Sequence, residues 1–210
     1  MRRLFSKFKS PAAIQDYLDT LPVNFELSGE TNLSPYQVFS QKTAHCFEGA
    51  VFAAVALAFH GQKPLLMDFA TAYDDEDHTI ALFKENGYWG AISKTNHAVL
   101  KYRDPIYKNV RELAMSFAHE YYLCDGRKSL RAYSAPFDLS KYPPEKWILP
   151  EDSSAEMNLR SLDWLMERLS KTHYFPLAPD KIMRRLRKAS KVELKALKII
   201  DFPDPRSRNI

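Results

Sequence analysis

The sequence predicts an α+β domain, and two segments carry most of that prediction. Residues 46–60 are apolar nearly all round, which is typical of a helix buried at the centre of a domain. The pair Asn86-Gly87 separates apolar segments at 78–83 and 88–93, and this pattern favours a β-hairpin with a two-residue turn. A buried helix and a hairpin within fifty residues of each other indicate mixed helical and sheet structure.

Other elements follow from capping and apolar patterns. A capping residue followed by proline marks three helix starts, at Ser10-Pro11, Ser34-Pro35 and Asp104-Pro105. The predicted helices run over 11–21, from 35 to about 40, and from 104 to about 122. Short apolar runs predict strands at 65–69 and 130–133. Two further helices are predicted near the C-terminus, from Ser153 or Ser154 to Ser170 and from Asp180 to about Ile199.

The length of 210 residues predicts one domain with an appended part. We divide the chain into a core over 1–123, which includes the N-terminal helices, and a helical C-terminal extension over 124–210 that packs on this core. Residues 180–210 hold ten Lys or Arg against four Asp or Glu, so the basic charge belongs to the last part. Its helix either docks on its own domain or contacts an acidic partner. We do not expect nucleic-acid binding, because no motif of a known nucleic-acid-binding fold is present.

Cysteine content and hydropathy predict a cytoplasmic protein. Two distant cysteines do not form a disulfide framework, and a reducing compartment leaves both thiols free. Residues 1–9 are basic without a following apolar run, so they do not predict a signal peptide. The longest apolar run, 50–59, has ten residues and is too short for a membrane span.

Cys46 is the candidate nucleophile. A free cysteine in an apolar helix is most often a small buried hydrophobe, but Cys46 lies at the start of the apolar pattern. In the first turn, backbone N–H groups and the helix dipole favour a thiolate and could also receive an oxyanion. Cys124, at a predicted helix end, is interpreted as structural.

His78 is the candidate base for this thiol. It opens the first strand of the hairpin and follows four acidic residues at 74–77, which favour its protonated form. The acidic run itself is interpreted as a solvated turn. It lacks the spacing of a calcium loop, so no metal or other cofactor is expected.

The order of these features resembles the transglutaminase-like superfamily, a branch of the papain-like cysteine enzymes. The resemblance rests on a helix-start cysteine, a strand, a strand led by His and a strand with Trp. The matching residues are 46–50, 61–66, 78–83 and 87–92, about a quarter of the chain. The resemblance implies a pair formed by Cys46 and His78, and a central helix packed on a small antiparallel sheet.

The third member of the catalytic group departs from the family pattern. The family usually has an Asp four residues after the Trp of the second hairpin strand, and this chain has Ser93 there. A Ser can orient an imidazole by a hydrogen bond but cannot stabilise an imidazolium as a carboxylate does. Asn96 could take the place of the Asn in papain-like triads, and His97 and Asp104 are further candidates.

Three more residues are assigned positions near the thiol. Trp89 packs over the hairpin or walls the cleft that binds substrate. Gln41, five residues before Cys46, is a loop residue or lends an amide N–H to an oxyanion, as an upstream glutamine does in papain-like enzymes. His45 is interpreted as an electrostatic neighbour and not as the base, because adjacent side chains diverge.

These residues together predict a thiol-dependent acyl-transfer enzyme that acts on a peptide or amide through a Cys46 thioester, with a peptide or protein as its substrate. Hydrolysis is favoured over transfer to an amine, since water is always present. The alternative is a catalytically impaired transglutaminase-like fold that serves as a protein-binding module, and Ser93 in place of Asp is its main support. A third interpretation is a scaffold for protein contacts built on residues 124–210.

Overall fold

A central antiparallel sheet carries helices on both faces. The computed structural model describes residues 1–27, 29–72, 75–147 and 161–199. The α-helices are α1 (Arg2–Phe5), α2 (Pro11–Thr20), α3 (Pro35–Gln41), α4 (Cys46–Phe59), α5 (Val110–Phe117), α6 (Asp163–Ser170) and α7 (Asp180–Met183). The strands are β1 (Leu65–Thr71), β2 (His78–Glu85), β3 (Tyr88–Ile92), β4 (Arg103–Tyr107), β5 (Leu130–Ser134), β6 (Phe137–Asp138) and β7 (Tyr174–Pro176). The predicted α+β class is confirmed.

The sheet has the strand order β4-β3-β2-β1-β5-β7, and β6 pairs with β1 beside β5. Side chains of β2 alternate between two buried layers, which explains why its sequence is apolar without a polar face. Ala81 and Phe83 lie in the core under α4, whereas Ile80 and Leu82 lie in the core under α5.

Helix α4 lies between the sheet and the N-terminal helices α2 and α3, so every residue from Phe47 to Leu57 is buried. Its N-terminal part comes very close to the segment after β3. A Cβ placed on Gly49 would lie 2.4 Å from the Cβ of Lys94, a distance that only glycine permits. The predicted central helix is confirmed, and its close approach sets the position of Cys46.

The predicted hairpin is confirmed. Asn86 and Gly87 both have positive φ, 50° and 87°, as a two-residue turn between twisted strands requires. Ala81 pairs with Ile92, so the beginning of β2 and the end of β3 lie side by side at the same end of the strands. This register brings His78 close to Ser93.

The predicted helix over 104–122 is wrong at its start. Residues Arg103–Tyr107 form β4 on the edge of the sheet, where Pro105 is tolerated because an edge strand can spare a ladder donor. The helix begins later, at Val110, and the side chain of Asn109 caps it by accepting from the N–H of Glu112 at 2.9 Å.

The predicted helix over 180–199 is also wrong beyond its first turn. Helix α7 ends at Met183, and Glu193–Ile199 is a 3-10 helix. Like charges at 184, 187 and 188 disfavour a continuous helix, and the N–H of Ala189 instead donates to the carbonyl of Gly126 at 2.8 Å. A basic helix over the whole segment is therefore absent from this described part of the chain.

The remaining C-terminal elements are mixed. Helix α6 matches the second half of the helix predicted over 153–170, and the first half lies outside the described residues. Residues after 123 also supply β5, β6 and β7 to the same sheet as the core, so this part is not wholly helical. The division at residue 123 stays a prediction. Among the described helices, none has the length and apolar character that crossing a membrane requires.

Candidate active site

Cys46 is the first residue of α4 and lines a cleft of about 560 Å³. His45 precedes it in extended conformation as the N-cap, and the thiol residue is partly exposed. The N–H groups of the first helical turn have no carbonyl of the preceding turn to donate to. They are the group that could receive an oxyanion beside the sulfur.

The cleft is built from several separate segments of the chain. Residues 23–26, 75–77 and 94–97 line it together with the start of α4. His78, Leu100, Tyr121 and Tyr122 complete the described lining of the cleft. The fold thus brings residues far apart in sequence around one sulfur atom.

His78 is buried and bound to Ser93. Its Nε2 lies 2.7 Å from the Ser93 Oγ, and the Ser93 hydroxyl donates to the carbonyl of Leu100 at 2.7 Å. A hydroxyl has one hydrogen, so its donation to Leu100 leaves it to accept from His78. The Nε2 of His78 therefore carries a hydrogen, and Nδ1 is the nitrogen available to the thiol.

The backbone of Ser93 is held by a side chain from α2. The N–H of Ser93 donates to the Gln15 Oε1, and the Gln15 Nε2 donates to the Ser93 carbonyl, both at 2.9 Å. Gln15 is buried between Ile14 and Leu18 on the apolar face of its helix. This reciprocal pair fixes the end of β3 and hence the hydroxyl that orients His78.

The thiol of Cys46 is strongly acidified. Burial by itself raises the pKa of this thiol. Hydrogen bonding to His45 and His78 and the positive charge of these rings together outweigh burial and lower the pKa to about 5. At neutral pH the sulfur is therefore a thiolate, the form that acts as a nucleophile.

His45 is a second imidazole at the sulfur. Its Nδ1 lies 4.0 Å from the Cys46 Sγ, and its Nε2 lies 2.9 Å from the carbonyl of Thr31. Burial lowers the pKa of His45, whereas the contact with Cys46 and the charges of Cys46 and Glu48 raise it to about 9. The sequence interpretation treated His45 only as a neighbour, so this direct contact was missed.

A buried carboxylate, Glu48, stands behind His45. It accepts hydrogen bonds from the N–H groups of Leu33 and His45, both at 2.9 Å, and from the side chains of Thr31 and Asn24. Its side chain is fully buried, and these donors replace the water it loses. The network ties the segment around residues 24–33 to the first turn of α4.

The acidic segment at 75–77 is partly tied to the protein. Asp77 accepts from the N–H of Thr71 at 2.8 Å, and Asp75 accepts from the hydroxyl of Ser129. No group of three or more His, Cys, Asp or Glu that could hold a metal ion occurs among the residues that the structure describes.

The structure places the other predicted site residues in two groups. Asn96 and His97 line the cleft, and burial followed by the nearby charge of His78 lowers the pKa of His97. Among the described residues that line the cleft, neither Trp89 nor Gln41 is present. Trp89 packs near the hairpin turn under Lys84, and Gln41 is exposed at the end of α3.

Comparison with known proteins does not assign a family. No protein-family model matches the chain, and no curated protein matches it in sequence. The resemblance to transglutaminase-like enzymes thus depends on the residues described above.

Proposed function

We propose that this chain is a thiol-dependent acyl-transfer enzyme with a transglutaminase-like core. Its substrate is a peptide or protein, and the acyl group is carried as a thioester on Cys46. The observation that supports this most is the joint position of Cys46 and His78 in one cleft, with His78 bound to the buried Ser93. An acidified thiol beside an oriented imidazole is the arrangement that nucleophilic acyl transfer requires.

The first half-reaction would form the thioester. The Cys46 thiolate attacks the carbonyl carbon, and the oxygen becomes an oxyanion next to the N–H groups of the first turn of α4. The tetrahedral intermediate collapses when the carbon–nitrogen bond breaks. A protonated imidazole beside the sulfur gives its proton to the departing amine. Ser93 holds the His78 ring in place through its Nε2.

The second half-reaction would release the acyl group. His78 accepts a proton from water, and the resulting hydroxide attacks the thioester carbonyl. The carbon–sulfur bond then breaks, which yields a carboxylic acid and restores the Cys46 thiolate. We favour water over an amine as acceptor because Cys46 is a partly exposed residue that lines the cleft, and water is always present.

Trapping the acyl-enzyme tests this function. The protein is incubated with p-nitrophenyl acetate, and intact-mass and peptide mass spectrometry locate the acetyl group. We expect acetylation of Cys46 that turns over, which is lost in Cys46→Ala and retained in Cys124→Ala. Cys124 is free and exposed, so it serves as the accessible reference thiol in the same chain.

A peptide substrate screen follows the trapping experiment. Turnover of the same peptide by the parent and by Cys46→Ala at comparable rates would refute the proposal. His78→Gln should slow release of the acetyl group more than its formation, because deacylation needs a base for water.

The alternative, a binding module that has kept the fold, is supported by the neutral Ser93 behind His78. It predicts an acidified thiol that accepts an acetyl group but does not release it. Persistence of a stoichiometric acetyl-Cys46 over many hours would favour this alternative.

A further inference from the structure

Two imidazole rings, those of His45 and His78, lie at the cleft that holds the Cys46 thiol, yet acyl transfer by a thiol needs only one acid–base group. His45 approaches the Cys46 Sγ with Nδ1 at 4.0 Å, and His78 lines the same cleft with Nδ1 directed away from Ser93. One thiol proton can reside on either ring. The groups behind the two rings decide which ring stabilises that proton better.

The group behind His78 is neutral. Its Nε2 donates to the Ser93 hydroxyl, which in turn donates to the carbonyl of Leu100. Neither acceptor carries a formal charge. A carboxylate in this position would stabilise an imidazolium, and a hydroxyl offers much less.

The groups behind His45 include two carboxylates. The Nε2 of His45 lies 2.9 Å from the Thr31 carbonyl, 3.4 Å from a Glu48 oxygen and 3.7 Å from a Glu26 oxygen. Glu48 is fully buried, so water screens its charge weakly. Its backbone and side-chain donors keep the carboxylate in place while it faces the ring.

We propose that His45, and not His78, holds the proton of the Cys46 thiol in the resting protein, with Glu48 as the carboxylate that stabilises the imidazolium. The hydrogen moves from Sγ to the Nδ1 of His45, which keeps its Nε2 hydrogen, and no other bond changes. The inference rests on the proposed function in taking Cys46 as the nucleophile. It assigns His45 the role of the ion-pair partner that gives its proton to the departing amine, and it keeps His78 as the base for water. The proton that His78 takes from water then returns to His45 through the Cys46 sulfur.

This arrangement explains how the site works without a carboxylate behind His78. The stabilising carboxylate is present, but it acts through the other imidazole. The raised pKa of His45 and the lowered pKa of Cys46 agree with this pair. In this scheme Glu48 takes the place of the carboxylate that forms the third member of the family pattern.

Other charged groups face the cluster and enter the expected titration. Cys46 is faced by His45 and His78, and its charge also acts on Asp68 and Tyr121. Glu26 and Glu48 face His45, and His97 and the acidic residues at 75–77 lie on the side of His78.

Nitrogen-15 NMR of the histidine side chains tests the position of the proton directly in the parent protein. We expect His45 at neutral pH to carry hydrogen on both ring nitrogens, and His78 to carry it on Nε2 alone. In Cys46→Ala, the midpoint of His45 should fall by at least about one unit toward the ordinary value of about 6.5. A doubly protonated His78 with a neutral His45 would overturn the inference.

Thiol alkylation gives a second test that does not depend on NMR assignment. We compare the pH midpoint of Cys46 alkylation by iodoacetamide in His45→Gln and His78→Gln, with Cys124 as the internal reference. The midpoint should rise by about two units or more in His45→Gln, toward the free-thiol value of about 8.5. It should rise less in His78→Gln, and the opposite order would overturn the inference.

The two proposals fail in different experiments. A protonated His45 in a protein that never forms acetyl-Cys46 would uphold the ion pair and refute acyl transfer. Acetyl turnover in a protein whose resting proton lies on His78 would uphold acyl transfer and overturn the role of His45. Glu26→Gln provides a mild variant, since that side chain is partly exposed, and it should lower the midpoint of His45.

Discussion

The substitution Gly49→Ala tests how closely helix α4 must approach the segment that follows β3. Alanine is a better helix former than glycine, and in an exposed helix the change stabilises by about 0.5–1 kcal/mol. In this fold, however, the new Cβ would lie 2.4 Å from the Cβ of Lys94 and 3.0 Å from its Cγ. The helix and the segment after β3 must separate to accept it.

Lys94 is poorly able to yield. Its ammonium group donates to the carbonyls of Leu18 and Leu21 at the end of α2, and its side chain is buried. Overpacking of this kind costs about 1–3 kcal/mol, which exceeds the gain in helix propensity. We expect Gly49→Ala to lower the free energy of unfolding by a net value of about 1–2 kcal/mol.

The same substitution should also disturb the site, because Lys94 directly follows Ser93. A shift of this segment loosens the bond from His78 to Ser93. We expect the alkylation midpoint of Cys46 to rise by about half a unit or more, a size of shift that such contacts produce. The midpoint is a better measure than the rate at one pH, since a more acidic thiolate is also intrinsically less nucleophilic.

Gly90→Ala is the matched control. A Cβ there would lie 2.3 Å from the Phe83 ring and 2.7 Å from the Arg103 carbonyl, so crowding is comparable. Gly90 is absent from the described lining of the cleft, and we expect it to lose stability in urea unfolding without a change in the Cys46 midpoint. A Gly49→Ala protein that is more stable than the parent would refute the packing argument. Equal midpoint changes in both variants would refute the link to the site.

Three further predictions concern buried polar groups, each measured by urea unfolding. Ser93→Ala leaves the His78 N–H and the Leu100 carbonyl without the hydroxyl that joins them, so it should cost about 1–3 kcal/mol, and a neutral effect would contradict that bond. Burial raises the pKa of Asp68 from 3.8 to about 6, so the folded state binds this proton more tightly than the unfolded state. The stability contributed by protonated Asp68 is lost as the pH rises from about 4 to about 6, and Asp68→Asn should flatten the profile there, whereas an unchanged slope would argue against the raised pKa. Glu48→Ala removes the acceptor of several buried donors and should cost about 3–5 kcal/mol, and a loss below about 1 kcal/mol would show that water replaces the carboxylate.

The sequence predicted the central elements because local and tertiary preferences agree there. The apolar run of α4 and the turn residues Asn86 and Gly87 specify their structures without help from distant residues. The register of the hairpin then places His78 and Ser93 together, and Ser93 contacts the imidazole as expected for an orienting residue. These predictions required only a helix start, a turn and a strand period.

The errors arise where tertiary contacts override local patterns. Pairing with β3 draws Arg103–Tyr107 into a strand, although Asp104-Pro105 resembles a helix start. Trp89 lies four residues before Ser93, at the end of β3 next to the turn. Four residues of extended strand span about 13 Å, which separates Trp89 from the cleft. Of the two positions that the sequence offered for Trp89, it takes the one at the hairpin and is absent from the described lining of the cleft.

The contact between His45 and Cys46 was not predicted, because adjacent side chains normally diverge. At this helix start, His45 is extended and Cys46 is helical, and the change of backbone conformation lets the two side chains converge on one point. Two features of the sequence could have indicated the network. Glu48 lies three residues after the cap, as in a capping box, and Gln15 is a polar residue on the apolar face of α2.

The amide pair between Gln15 and Ser93 joins residues that are 78 positions apart. Contacts of such long range form late in folding, because closing a long loop is entropically costly until other contacts have shortened it. The orienting hydroxyl is secured only when the first long helix has docked on the finished sheet. A chain that has formed its hairpin but has not docked that helix should therefore hold an ordinary, slowly reacting thiol. The time at which Cys46 becomes reactive during refolding would then report when docking of α2 is complete.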